Sequence, residues 1–156
     1  MGGRITYIPT REGYMYLASF LDLYTRKIVG WSISSTMTER LAIDAFLQGF
    51  GKENPRAELI VHTDQGSQFT GGNFIAVLKS KGAVPSHSRK GNPYDNALME
   101  FFYRTLKREL VDDAAFKTRE QARQALVKYI ELYYNSMRKH SALRYVAPRE
   151  DEELNS

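Results

Sequence analysis

At 156 residues the sequence is long enough for one globular domain with a core and too short for two of ordinary size. Hydrophobic residues at 42% and charged residues at 26% exclude a disordered or low-complexity chain, and the lack of cysteine excludes a disulfide framework, a thiolate zinc site and a cysteine nucleophile. Twenty-two Lys and Arg against eighteen Asp and Glu leave a formal charge of +4, which favours a polyanionic partner.

Arg4 to Ile8 and residues 14–23 are rich in β-branched, aromatic and leucine side chains, and the turn-like stretch from Pro9 to Gly13 between them predicts a hairpin. A second turn at Tyr24, Thr25 and Arg26 leads to a third strand over Lys27 to Ser34, antiparallel to the second. Thr36 and Glu39 have capping-box spacing, and the apolar positions from Leu41 to Gly49 recur with helical period until Gly51. Glu58 to Val61 predicts a short buried strand that delivers the chain into the polar segment His62-Thr63-Asp64-Gln65-Gly66-Ser67-Gln68.

Phe74, Ile75, Val77 and Leu78 predict a second helix, Ala83 to Pro85 a fifth strand, and Ser86 to Pro93 a basic, glycine-containing loop. Between Tyr94 and Leu110 the stripe Leu98, Phe101, Phe102, Leu106 and Leu110 predicts a third helix. Thr118 and Gln121 form a second capping-box pattern, opening a helix whose stripe runs Ala122, Ala125, Leu126, Tyr129, Ile130 and Tyr133. The expected fold is therefore α/β, a five-stranded mixed sheet with its first three strands antiparallel and helices on both faces. Residues 1–150 are expected to form the domain and 151–156 an acidic tail. No apolar run approaches the roughly 18 residues of a membrane span, and no signal-peptide order is present, so no membrane partner and a cytoplasmic location are expected.

Asp64 is expected at the carboxyl end of the fourth strand, where open α/β sheets bind ligands. Glu100 lies on the third helix, on the face shared by Asn96, Arg104 and Lys107 at helical spacing, so a carboxylate sits among donors suited to phosphate. If that helix crosses the end of the fourth strand, Asp64 and Glu100 can share a hard divalent ion such as Mg²⁺ or Mn²⁺. Arg89 and Lys90, in the loop before the helix, suit a DNA backbone. His62 reads as an outer hydrogen-bonding residue, Asp22 with Arg26 as a turn and ion pair, Asp95 as a helix cap, and Tyr129, Tyr133 and Tyr134 as core.

The run His62 to Phe69, the run Ser86 to Ala97 and the run Glu100-Phe101-Phe102-Tyr103-Arg104-Thr105-Leu106-Lys107-Arg108-Glu109 together resemble the integrase catalytic core of bacterial insertion-sequence transposases. Asp22 to Trp31 upstream, and Tyr133 to His140 with Leu143, Tyr145 and Pro148 downstream, extend the resemblance over nearly the whole chain. It implies a ribonuclease H-like fold, related to retroviral integrases, and an Asp, Asp, Glu triad for metal-dependent phosphodiester cleavage and strand transfer in DNA transposition. Asp64 and Glu100 match the second Asp and the Glu, with the family's spacing of thirty-five residues between them. The family's first Asp stands on the first strand in a pattern like Trp-x-x-Asp-Ile-Thr-Tyr. Here the stretch reads Met1-Gly2-Gly3-Arg4-Ile5-Thr6-Tyr7, so Arg4 replaces that acid.

With the hairpin turning near residue 11, Arg4 is expected to pair close to Ala18, which leaves Asp22 roughly 13 Å from the site and Glu12 at the far end of the hairpin. Neither completes the triad. The resemblance thus implies a core whose catalytic and metal-binding residues are Asp64 and Glu100 and whose DNA contacts are Arg89, Lys90, Asn96, Arg104 and Lys107. Metal binding is expected to be weak and turnover blocked at Arg4, with transposon-end and target DNA, and a second copy of the chain, as expected partners. The alternative is a DNA-binding or oligomerising module without turnover.

Overall fold

The computed structural model describes residues 1–22, 27–53, 59–64, 66–87, 93–111 and 116–141, the side chains of 53, 93–99, 111 and 132–141 excepted. Three strands open the chain, β1 (Gly2–Thr10), β2 (Gly13–Asp22) and β3 (Lys27–Ser34), and each pairs antiparallel with the next. Helix α1 (Glu39–Glu53) leads to β4 (Leu59–His62), and the short α2 (Ser67–Thr70) and α3 (Gly72–Ser80) lead to β5 (Ala83–Ser86). Helix α4 (Pro93–Leu106) continues as a π-helical turn over Lys107–Val111, and α5 (Arg119–Ser141) follows. The sheet order is β3-β2-β1-β4-β5, with β4 parallel to both β1 and β5. The expected mixed sheet is what forms.

The β1–β2 register follows from the turn. Arg11 and Glu12 make a two-residue connection, Thr10 pairs with Gly13, and Gly13 adopts φ 129°, a conformation glycine takes without steric cost. Thr10 Oγ1 closes the turn by donating to the Gly13 carbonyl at 2.6 Å and accepting from the Glu12 amide at 3.1 Å. A turn of two residues moves the pairing by one relative to a turn centred on residue 11, so Arg4 stands opposite Ser19 and Ala18 stands opposite Ile5. In a strand one residue is a change of face, and a serine rather than an alanine therefore shares Arg4's side of the sheet.

Helices cover both faces. On one, α1, α2 and α3 bury Ala18, Phe20, Val29, Phe46, Phe69, Phe74 and Leu78, and Phe20 meets Phe46, Phe69 and Phe74 with ring centroids 5.9–6.3 Å apart. Helix α1 approaches β3 so closely at Gly49 and Gly30 that a Cβ on Gly30 would strike the Ala45 carbonyl. On the other face α4, the π turn and α5 bury Ile8, Met15, Leu17, Leu21, Phe102, Leu106, Leu126 and Ile130.

Two local expectations need correction. Glu39 does not close a capping box with Thr36: its carboxylate accepts the Phe74 amide at 3.0 Å, so a residue opening α1 satisfies a free donor in the first turn of α3. The α4 stripe also differs, because Phe101 is half exposed while Tyr103 and Thr105 are buried with Phe102 and Leu106. The second capping box forms in part. Gln121 N donates to Thr118 Oγ1 at 3.0 Å, and Gln121 Oε1 accepts from the Lys117 amide at 2.9 Å.

Candidate active site

The site is built where β1 and β4 run side by side. Their parallel pairing joins Gly2 to His62, and Arg4 on β1 and Asp64 beyond β4 each lie two residues past that pair. Side chains alternate along β1, and Arg4 projects to the α4 face. Asp64 lies two residues past the end of β4 and is exposed; its Oδ1 accepts the Gly66 amide at 2.7 Å, a turn that fixes the carboxylate against its own loop. Next to it the Thr63 hydroxyl is buried without a hydrogen-bond partner, while the Thr63 amide donates to Ser86 O at 3.0 Å.

Helix α4 crosses this point and is locked there by one side chain. The Tyr103 hydroxyl donates to the Arg4 carbonyl at 3.1 Å and pairs with Ser19 Oγ; because the phenol has a single proton, Ser19 supplies the hydrogen of that second bond. The Arg4 guanidinium lies over the Tyr103 ring, 5.5 Å from its centroid. Burial pushes the Tyr103 phenol far above its ordinary pKa, and the Ser19 hydrogen bond and the Arg4 charge offset only part of that rise. Glu100, exposed, sits one helical turn before Tyr103. Position 4 and Glu100 thus belong to two elements in contact, β1 and α4, and Asp64 follows β4, which pairs with β1.

The proposed DNA contacts divide. Arg104 is exposed on the Glu100 side of α4, and Lys107 is half buried with its Nζ 4.8 Å from the Tyr7 ring centroid. Asn96 lies on α4, with its side chain outside the described part, and Arg89 and Lys90 lie outside the described residues altogether. Asp22 ends β2 opposite Lys27, and Glu12 accepts the Arg119 amide at 2.7 Å at the start of α5. Both are committed away from position 4. The expected Asp22–Arg26 ion pair and the Asp95 cap involve side chains outside the described part. Tyr129 packs on the core as expected and donates to Glu109 Oε2 at 3.2 Å.

Two family models described as "Integrase core domain" match the chain, one over residues 3–93 and one over 81–148. The chain belongs to the integrase core domain family. It is 58% identical over 154 residues, 99% of its length, to the transposase for insertion sequence element IS904 of Lactococcus lactis subsp. lactis (strain IL1403). It is 40% identical over 153 residues, 98% of its length, to transposase InsF for insertion sequence IS3A of Escherichia coli (strain K12). The chain spans 61% of the first relative and 53% of the second.

Among solved structures it is similar to the HTLV-2 integrase catalytic core domain in complex with magnesium, with TM-score 0.58 at 19% identity over 84% of each chain. It is also similar to a chain of a simian T-cell lymphotropic virus intasome, with TM-score 0.62 at 18% identity over 84% of this chain and 48% of that one. These likenesses establish the ribonuclease H-like fold of the integrase cores.

Of the three positions that the resemblance implies as ligands, Asp64 and Glu100 carry carboxylates and the other carries Arg4, and among the described residues no group of three or more His, Cys, Asp or Glu can hold a metal ion. The residues present do not fit a full divalent-metal site. Sequence reasoning missed Ser19 and Tyr103. The available signal was the helical offset of Tyr103, three residues after Glu100, which turns it toward the sheet.

Proposed function

We propose that this chain is the integrase-core part of an insertion-sequence transposase, holding DNA along α4 while phosphodiester cleavage and strand transfer are blocked at Arg4. The observation that supports the reading is the pairing of Gly2 with His62, since Arg4, where the resemblance calls for an acid, and Asp64 each follow that pair by two residues. Its carboxylates are Asp64, oriented by the Gly66 amide, and Glu100, and both would act on the scissile phosphate's surroundings. Arg104 and Lys107 lie on the Glu100 side of the same helix and would neutralise phosphates, with Arg89, Lys90 and Asn96 as further contacts. Mg²⁺ or Mn²⁺ would bind weakly to two carboxylates facing a guanidinium. The partners are transposon-end and target DNA, with a second copy of the chain to complete the assembly; no helix among the described residues is long and apolar enough to cross a membrane.

The test is a nicking and strand-transfer assay on labelled duplex DNA with Mn²⁺, run on the chain and on Arg4→Asp, with duplex binding measured in parallel. The chain is expected to bind duplex weakly, with steep salt dependence, and to leave it intact; Arg4→Asp is expected to nick it. Replacing Arg89, Lys90, Arg104 and Lys107 with Ala should abolish most duplex binding at low salt, and unchanged affinity would place the DNA surface elsewhere. Arg4→Asp that binds duplex yet stays silent would favour a DNA-binding or oligomerising module without turnover.

A further inference from the structure

On the α1 face the far half of the β1–β2 hairpin lacks the cover that its near half receives. Tyr7, within β1, and Tyr14, the second residue of β2, are 50% and 51% exposed, large for aromatic side chains in strands. Both belong to the α1 face, since Tyr7 pairs with Tyr16, which packs on the α1-face core, and Tyr14 pairs with Pro9 two residues further along β1. The three rings form a row: Tyr7 meets Tyr14 edge to face at 5.2 Å, and Tyr14 meets Tyr16 at 6.4 Å. Beside them, among the described residues, β4 pairs with β1 only at Gly2, so no described strand pairs with the far half of that edge.

Cations border the row. Lys107 reaches round the β1 edge from the α4 side to place Nζ 4.8 Å from the Tyr7 centroid. At the hairpin tip Arg11 is exposed, and Arg119 donates from Nε to the Tyr14 carbonyl at 3.4 Å. Glu12 at the hairpin tip accepts the Arg119 amide, and Glu109, two residues after Lys107, accepts the Tyr129 hydroxyl. Two exposed rings in contact, with cations beside Tyr7 and Tyr14, fit a strand whose bases stack while its phosphates are neutralised.

The position relates this row to the site already described. Tyr7 lies three residues beyond Arg4 on β1, roughly 10 Å along the strand and on its other face, and Lys107, first residue of the π-helical turn that continues α4, lies about two helical turns beyond Glu100. Arg104 and Lys107 therefore mark a path from the carboxylates to the tyrosines.

We propose that Tyr7 and Tyr14, with Lys107, form a stacking platform for the unpaired bases of a single DNA strand leaving the candidate active site. The inference rests on the DNA-acting reading above and deepens it, by assigning the strand that is no longer in duplex to a surface of its own. Duplex offers its bases only inside the stack, so the platform distinguishes the two forms of DNA, whereas Arg104 acts on both through phosphate.

The test is fluorescence anisotropy with a labelled 20-nucleotide oligo-dT and a labelled 20-base-pair duplex, at matched low salt, on the whole chain. The Tyr7→Ala/Tyr14→Ala variant should lose about tenfold or more in oligo-dT affinity and keep duplex affinity within about twofold, since stacking contributes only to unpaired bases. Tyr7→Phe/Tyr14→Phe keeps the rings and should bind oligo-dT within about threefold of the parent. Thermal melts confirm that both variants fold. Unchanged oligo-dT affinity in the alanine variant, or equal losses for both DNA forms, would overturn the platform. A chain that binds duplex but not oligo-dT would overturn it too, and would leave the DNA-acting reading standing. Loss of self-association in the alanine variant, with oligo-dT binding unaltered, would assign the tyrosines to a second copy and reject the proposal.

Discussion

The two faces of the sheet are built by different rules. Under α1, α2 and α3 the buried side chains are apolar but for Thr63 beside Asp64, and four phenylalanines interlock, whereas under α4 and α5 the core admits Thr6, Ser19, Tyr103 and Thr105. Those polar groups are not scattered. Ser19 and Tyr103 join β2 and α4 directly to the backbone of Arg4, so the polar part of the core lies under the candidate site and the apolar part lies away from it. One face supplies stability through area removed from water; the other gives up some of that area to fix a helix carrying Glu100 against a strand carrying position 4.

The sharpest way to break this contrast is to damage each face in turn. Phe20→Ala removes the ring at the centre of the phenylalanine group and should cost about 3–5 kcal/mol, read as a drop in denaturation midpoint. At temperatures where the variant remains folded, duplex affinity should not change. A loss of DNA binding without a loss of stability would contradict the division between the faces.

Tyr103→Phe is the corresponding change on the other face and should cost less, about 1–3 kcal/mol, because it leaves the buried Ser19 hydroxyl and the Arg4 carbonyl without their partner. It carries a pH signature. The Tyr103 pKa is raised by burial above the ordinary value of 10.0, so the folded state holds that proton more tightly than the unfolded state. Its contribution is complete below pH 10.0 and is lost as the pH climbs from there toward the folded value. Denaturant midpoints measured across the alkaline range should fall more steeply for the parent than for Tyr103→Phe. Identical slopes would mean that Tyr103 ionises as freely folded as unfolded.

The same contrast accounts for what could be read in the chain. Strands β1 to β5 follow from alternation and turn residues, which are local, and Asp64 and Glu100 follow from motif and spacing. The Ser19–Tyr103 bond joins residues 84 apart, and it depends on a register set by the two-residue turn at Arg11 and Glu12, so no local pattern announces it. Glu39 misled for a related reason: its capping-box spacing is real, but the amide it satisfies belongs to Phe74, thirty-five residues away. Phe101 misled because hydrophobicity alone put it on the buried stripe, while the helix turns Tyr103 inward, where its hydroxyl finds partners. The basic loop at Arg89 and Lys90 lies outside the described residues, so its part in DNA contact rests on sequence.

The central claim is that Arg4 stands where an acidic ligand would complete the site, and a calorimetric Mn²⁺ titration of the chain against Arg4→Asp tests it most directly. The account predicts feeble binding by the chain. It predicts markedly tighter binding by Arg4→Asp, which removes a positive charge and adds a carboxylate at position 4. Without metal the Arg4→Asp melt should fall, because three carboxylates then repel, and Mn²⁺ should restore it. Equal, tight Mn²⁺ binding by both proteins would contradict the account, since Arg4 would then have no bearing on the site.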